Sequence, residues 1–179
     1  GVVADETVTQ FEQGGLDQTG RGLDFAIAGD GFFTFQTPNG EALSRGGHFF
    51  LDAEGYLSDA AGNRVLGDDG PIMLTSGEIT VGSDGVIYQD GVEAGKLRIT
   101  VPGDMAGVEK QGDGFFAYAG DTVDFTGAVA QGALEASNVD VTAQMTDMIA
   151  ATRAFQTCAQ VVKTMDEMTA KAAQLGSLR

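Results

Sequence analysis

The chain has 179 residues, of which 26 are acidic and 10 are basic, and its formal net charge is −16. This length fits one or two domains with a buried core, and the charge repels nucleic-acid phosphates and anionic lipid headgroups. No apolar run reaches the ~18–20 residues that span a bilayer, and no basic region followed by an apolar core opens the sequence. We therefore expect no nucleic-acid partner, no membrane insertion and no cleaved Sec signal.

The composition also limits the chemistry that the chain can carry. Cys158 is the single cysteine and His48 the single histidine, so an internal disulfide and a cluster of imidazole metal ligands are excluded. No segment has the alternating acidic residues of an EF-hand calcium loop. We predict no cofactor and no metal site. The 27 glycines, against 3 prolines, favour tight turns between short strands.

Residues 1–23 are polar with irregularly spaced apolar residues, which predicts an extended linker segment. Residues 24–130 alternate short apolar runs with turn residues, and Asn39-Gly40 favours a type I′ hairpin turn. This pattern predicts roughly eight to ten strands in a mainly β domain, an irregular sandwich or barrel-like arrangement of short hairpin-connected strands.

Residues 131–179 follow a different pattern, because alanine, methionine, glutamine and lysine replace glycine. The pattern predicts one long amphipathic C-terminal α-helix of coiled-coil type that begins within residues 136–140. Ser137 or Asn138 is predicted to cap it, with Asp140 in the first turn.

Apolar residues recur along this helix at alternating gaps of three and four, the 3.5-residue repeat of a coiled coil. We call this row the seam and predict that it is an assembly interface, because some 35 helical residues extend ~50 Å, farther than a domain of this size is wide. The alternative is that the helix packs on its own β domain. The predicted seam consists of Val141, Met145, Met148, Ile149, Phe155, Val162, Met165 and Met168.

Enzymatic interpretations are weaker. Eleven of the 26 acidic residues adjoin glycines in turn contexts, although two carboxylates in a cleft would suit a glycosidase. His48 lies four residues from both Ser44 and Asp52, but in a hairpin these spacings separate the side chains by ~13 Å, so no triad is predicted. Cys158, beside the seam, is predicted to be a small apolar packing residue. We predict that the chain is not an enzyme.

Two groups of motifs then stand out in order along the chain. The first group comprises residues 19–33 (TGRGLDFAIAGDGFF), 37–40 (TPNG), 44–49 (SRGGHF) and 52–57 (DAEGYL). The second is residues 131–140 (QGALEASNVD), followed by Met148-Ile149 and Arg153-Ala154-Phe155. The first group resembles the central signature of flagellar hook and basal-body rod proteins, and the second resembles their C-terminal signature. The short segment between them, including Gly112-Asp113-Gly114, is most similar to the proximal-rod branch of this family.

The resemblance implies a structural function. Family members leave the cell through the flagellar type III export apparatus and stack helically with other rod and hook proteins and with copies of themselves into a periplasmic shaft that transmits torque. It also implies that an N-terminal helix, with no counterpart in this sequence, pairs with the C-terminal helix. A distal rod or hook subunit is the first alternative, and a secreted carbohydrate-binding or carbohydrate-active β domain is a remote one.

Overall fold

The structure is a computed structural model that describes residues 9, 11–75 and 77–176. Its contacts divide the chain into two compact units, residues 1–138 and 139–179. The first unit is built from strands and the second from one helix. The predicted fold class, mainly β with a long C-terminal helix, is therefore confirmed. Residues 1–8 and 10 of the predicted linker, and residues 177–179, lie outside the described residues.

Within the described residues the first unit has 17 strands rather than the predicted eight to ten. Many strands have only two or three residues, too few to leave an alternating pattern in the sequence. A 3₁₀ turn occupies Met105–Gly107. The strands are β1 Leu16–Gln18, β2 Phe25–Ala28, β3 Phe32–Thr37, β4 Gly40–Ser44, β5 Phe50–Leu51, β6 Leu57–Ser58, β7 Arg64–Gly67, β8 Gly70–Pro71, β9 Ile79–Val81, β10 Val86–Gln89, β11 Val92–Lys96, β12 Ile99–Pro102, β13 Glu109–Gly112, β14 Phe115–Ala117, β15 Thr122–Val123, β16 Ala128–Gln131 and β17 Ala133–Glu135.

The strands pair in four antiparallel sheets within the described residues. The largest sheet has the order β13-β14-β4-β3-β7-β6-β5, with β12, β15 and β8 joined to its side. A second sheet has the order β11-β10-β9, and two further ladders join β16 to β2 and β1 to β17. The largest sheet is open, because β13 and β5 are the two ends of its path.

The turn chemistry explains the hairpins, with one correction. Thr37 pairs with Gly40, so the loop of the β3–β4 hairpin is Pro38-Asn39. The predicted type I′ turn centred on Asn39-Gly40 is wrong, because the fixed φ of Pro38 favours a type I turn with glycine at its fourth position. A type I′ turn occurs instead at Asp90-Gly91, where φ is 50° and 80°.

Aromatic rings form the centre of the core. Phe49 is fully buried. Its ring centroid lies 5.4 Å from that of Phe25, 5.3 Å from that of Phe33 and 5.9 Å from that of Phe35. The edge-to-face arrangement of the first two pairs suits the ring quadrupoles. Aliphatic side chains from neighbouring strands complete this cluster: Ile27, Leu57, Val65, Ile72, Leu74, Ile87, Leu97 and Val129.

The predicted linker contains a strand. β1 pairs with β17 through Leu16↔Glu135, Asp17↔Leu134 and Gln18↔Ala133. All three β1 residues are exposed, so this pairing depends on backbone hydrogen bonds and leaves no apolar signature in the sequence. Residues 16–18 and 133–135 therefore belong to the β unit, which corrects the predicted boundaries at residues 24 and 131.

The helix spans Val141–Gly176 and begins later than predicted. Asp140 is its N-cap, because Asp140 Oδ1 accepts hydrogen bonds from the backbone N–H groups of Thr142 (2.8 Å) and Ala143 (3.2 Å). The predicted cap Asn138 instead donates from Nδ2 to the Glu12 carbonyl at 2.8 Å. Asp140, which was predicted to lie in the first turn, is therefore the residue that satisfies the first free N–H groups.

The side-chain amide of Gln131 joins three segments of the β unit. Its Oε1 accepts from the Val81 N–H at 3.0 Å, and its Nε2 donates to the carbonyls of Ile79 (2.8 Å) and Gly22 (2.7 Å). We expect Gln131→Leu to lower the free energy of unfolding by about 2–3 kcal/mol, because it leaves β9 backbone groups unpaired. Urea unfolding measures this loss. The matched control is Gln111→Leu, at an exposed glutamine on β13, and equal losses in the two variants would contradict the assignment.

Candidate assembly surface on the C-terminal helix

The C-terminal helix is a long, regular element. Its 36 residues extend about 54 Å. Five threonines satisfy their hydroxyls within the helix, each donating to the carbonyl four residues earlier at 2.8–2.9 Å. These threonines therefore need no partner outside the helix.

Every helix side chain that the structure describes, over residues 141–173, is exposed. The predicted seam residues are among them, and their exposed fractions range from 52% for Ile149 to 74% for Phe155. A row of apolar side chains exposed to this extent is a large hydrophobic surface, which is typical of an interaction site. Cys158, beside the seam, is exposed as well, so its role as a packing residue stays a prediction.

The helix geometry divides the predicted seam: four of its residues form one row, two lie on a second face, and Met145 and Ile149 lie on the other side of the first row, with Ile149 ~100° from Met148. At ~100° per residue, Val141, Met148, Phe155 and Val162 drift by ~20° per heptad, so they form one continuous row. Met168 lies ~120° around the helix from Val162, and therefore belongs to a different face. With Met165 and Val161 it forms a second row, which borders a groove of about 300 Å³ lined by Thr157, Gln160, Val161, Thr164 and Met165. Sequence analysis missed Val161, which is 54% exposed and has spacings of four and seven residues to Met165 and Met168.

The charge of the chain is divided unequally between the two units. The helix Val141–Gly176 has three acidic and three basic residues and is formally neutral. Residues 1–138 contain 22 of the 26 acidic residues and six of the 10 basic residues, so they carry the formal charge of −16. Two helices of this kind can therefore approach each other without net repulsion.

A clasp of hydrogen bonds holds the two ends of the β unit together. Glu135 Oε1 accepts from the Gly14 N–H at 3.0 Å and from Arg45 Nη1 at 3.0 Å. Beyond it, the Ala136 N–H donates to the Gly15 carbonyl at 2.8 Å, and Asn138 reaches Glu12 as described above. The N-terminal end of the described β unit, at residues 12–15, therefore lies beside its C-terminal end, at residues 135–138.

His48 has partners that the sequence spacing did not suggest. Its Nδ1 lies 2.8 Å from Asp24 Oδ1, and its Nε2 lies 2.8 Å from Arg21 Nη1. Ser44 donates instead to the Gly114 carbonyl at 3.0 Å, and Asp52 pairs with an arginine. No Ser–His–Asp triad is formed by these residues, as predicted, and His48 joins the segment around residue 24 to the following hairpin.

Asp24 is the buried acceptor of this cluster, with 2% of its side chain exposed. Burial by itself raises its pKa, but hydrogen bonds from Thr19 and His48 and the charge of Arg21 outweigh burial and hold the pKa below its ordinary value of 3.8. A carboxyl with a lowered folded-state pKa stabilises the fold above its unfolded-state pKa, and this stabilisation is lost as the pH falls through the folded-state value.

We therefore expect Asp24→Asn to lower the free energy of unfolding at pH 7 by about 2 kcal/mol, since it weakens charge-assisted hydrogen bonds. At pH 3 the difference from the native chain becomes smaller. Urea unfolding at both pH values measures it, with Asp17→Asn, at an exposed position on β1, as the control. A loss of stability that is equal at both pH values would contradict the electrostatic explanation.

The β unit also has a cleft of about 510 Å³, which bears on the carbohydrate alternative. Asp59, Asp113, His48 and Phe35 are among its lining residues. The Asp59 carboxylate accepts from the Ala61 and Asn63 N–H groups and from the Asn63 side chain at 2.8–2.9 Å. Asp59 therefore stabilises its own turn, as the glycine-rich context predicts, and is a poor candidate for a general acid.

Among the residues that the structure describes, no group of three or more His, Cys, Asp and Glu side chains is arranged to hold a metal ion. No helix in this part of the chain combines the length and the apolarity that a membrane span requires.

The β unit and the heptad helix both match models of flagellar axial proteins. Residues 26–114 match a family model described as the flagellar hook protein FlgE/F/G D1 domain. Residues 130–175 match one described as the C-terminal part of the flagellar basal body rod FlgEFG proteins.

Individual relatives cover most of the chain. The flagellar basal-body rod protein FlgF of Rhizobium meliloti is 38% identical over 97% of this chain and 76% of its own length. FlgF of Caulobacter vibrioides is 35% identical over 92% of this chain and 69% of its own length. FlgG of Bacillus subtilis, also named a flagellar basal-body rod protein, is 35% identical over 84% of this chain and 64% of its own length. The chain belongs to the family of flagellar basal-body rod proteins, which confirms the resemblance seen in its motifs.

Proposed function

We propose that this chain is a structural subunit of the bacterial flagellar basal-body rod that assembles helically with other axial subunits and with copies of itself to transmit torque. The observation that carries this proposal is the exposed 3.5-residue apolar row on a formally neutral helix, in a chain that belongs to the rod family. Such a row buries its exposed apolar area when another helix covers it.

In this proposal the helix unit supplies the inner, helix-to-helix contacts. Its occupant is a helix of another axial subunit, and in a solution of this chain alone it is a second copy. The ~20° drift per heptad on a straight helix requires a slight left-handed supercoil to keep the row facing its partner. The second row, Val161, Met165 and Met168, supports contact with more than one neighbouring helix in the C-terminal half.

The β unit supplies the outer contacts, and no catalytic step is assigned to it. The clasp at Glu135 supports this division. It holds residues 12–15, the N-terminal end of the described β unit, beside residues 135–138, which lead into the helix. Export through the flagellar type III apparatus and a final position in the periplasmic rod complete the proposal. Both rest on the family relationship.

Purified hook–basal bodies from cells that produce this chain test the proposal. We expect the chain to co-purify with the rod subunits and to remain after a salt wash that removes loosely bound proteins. Labelling its position then separates a proximal rod subunit from a distal rod or hook subunit, an alternative that the similarity to FlgG relatives supports. Recovery of the chain only in soluble fractions would contradict the proposal.

A further inference from the structure

The unequal division of charge affects how copies of this chain can meet. The acidic excess of 16 lies in residues 1–138, whereas the helix is neutral. The four arginines of this unit are engaged internally, because each forms an ion pair with a carboxylate of the same unit. Lys96 and Lys110 are the basic residues of the unit without such an ion pair in the part of the chain that the structure describes.

We propose that the acidic β unit is an electrostatic gate on self-association: the helix provides the attraction, and salt cations must screen the β units before copies can pair. This inference rests on the proposed function, since the gate regulates the same assembly surface on the helix. The β unit ends at Asn138 and the helix begins at Val141. A parallel helix-to-helix contact therefore brings two acidic units side by side.

The range of the repulsion makes this gate effective at low salt. A compact unit of this size is about 35 Å across. The Debye length is about 30 Å at 0.01 M salt, which is comparable with the unit, and about 8 Å at 0.15 M. Repulsion therefore acts over the whole pair at low salt and only between facing surfaces at 0.15 M. Apolar helix contacts, by contrast, change little over this range.

Sedimentation equilibrium of the full chain at about 0.01 M and 0.15 M NaCl tests the gate. We expect the dissociation constant of self-association to fall at least tenfold on going to the higher salt concentration.

Four exposed carboxylates outside the ion pairs are then neutralised together, which reduces the charge from −16 to −12 and the pairwise repulsion by nearly half. The substitutions are Glu93→Gln, Glu109→Gln, Asp121→Asn and Asp124→Asn.

The neutralised variant is expected to associate more tightly than the native chain at low salt and to respond to salt by only about threefold. The control conserves charge at two of the same sites, Glu93→Asp and Glu109→Asp, and is expected to behave as the native chain does. Association that is independent of salt, or unchanged in the neutralised variant, overturns the gate and leaves the proposed function intact. Absence of association at both salt concentrations overturns the gate and the helix interface together.

Discussion

We expect Gly47→Ala to lower the free energy of unfolding by more than about 4 kcal/mol, enough to prevent folding in a domain of ordinary stability. A Cβ at this position would clash with the Phe25 carbonyl oxygen and would lie 2.8 Å from the carbonyl carbon and 3.4 Å from Phe33 Cε2. The obstacle is backbone, which cannot rotate away. The Phe25 N–H also donates to the Gly47 carbonyl at 2.9 Å, so moving the strands apart breaks this bond at the edge of the aromatic core.

The neighbouring glycine provides the control. A Cβ on Gly46 would meet only Ser44 Oγ, at 3.4 Å, and we expect Gly46→Ala to change stability by less than about 1 kcal/mol. Circular dichroism during urea unfolding, or the soluble yield if Gly47→Ala does not fold, measures both variants. Similar stability of the two variants would contradict the close packing of Gly47 against Phe25.

The second large effect concerns the helix. We expect Met148→Asp combined with Phe155→Asp to weaken self-association at least 100-fold at 0.15 M salt. Both side chains lie in the continuous apolar row and are exposed, at 63% and 74%. Covering two carboxylates in an apolar interface carries a large desolvation penalty. Stability of the β unit should not change, since neither residue belongs to it.

A matched variant separates the position of the charge from its amount. Thr146→Asp combined with Ala150→Asp adds the same two charges more than ~100° around the helix from the apolar row and outside the groove of the second row. We expect this variant to weaken association only a few-fold. Sedimentation equilibrium of both variants decides the point, and an equal effect of the two pairs would mean that the row is not the contact surface.

Local chemistry made much of the fold predictable. Glycine next to aspartate or asparagine determines tight turns over four residues, so the hairpins of the β unit were predictable from short segments, as at Asp90-Gly91. The long helix was predictable for a similar reason, because its spacing and composition act within a few turns. The helix boundary was less accurate, since Ser137, Asn138 and Asp140 all have side chains that can cap a helix, and only coordinates show that Asp140 does so.

Contacts between residues far apart in the sequence were the part of the fold that could not be predicted. Leu16–Gln18 and Ala133–Glu135 lie more than a hundred residues apart, and their ladder uses backbone groups that every sequence has. The contacts of His48 with Asp24 and Arg21 were not predicted either, because these residues lie 24 and 27 positions away along the chain and their spacing gives no sign of the contact. Val161 of the second apolar row was missed because the 3.5-residue repeat that defined the seam does not include its position.

The central claim is that the exposed apolar row of the helix is an assembly surface, and helical content measured together with mass tests it most directly. Circular dichroism and sedimentation are recorded on the same samples of the full chain, from micromolar to sub-millimolar concentration at 0.15 M salt. An isolated helix gains most of its stability from packing, so the account predicts that the helical signal and the mass rise together. A full helical signal in a strict monomer at every concentration would contradict it.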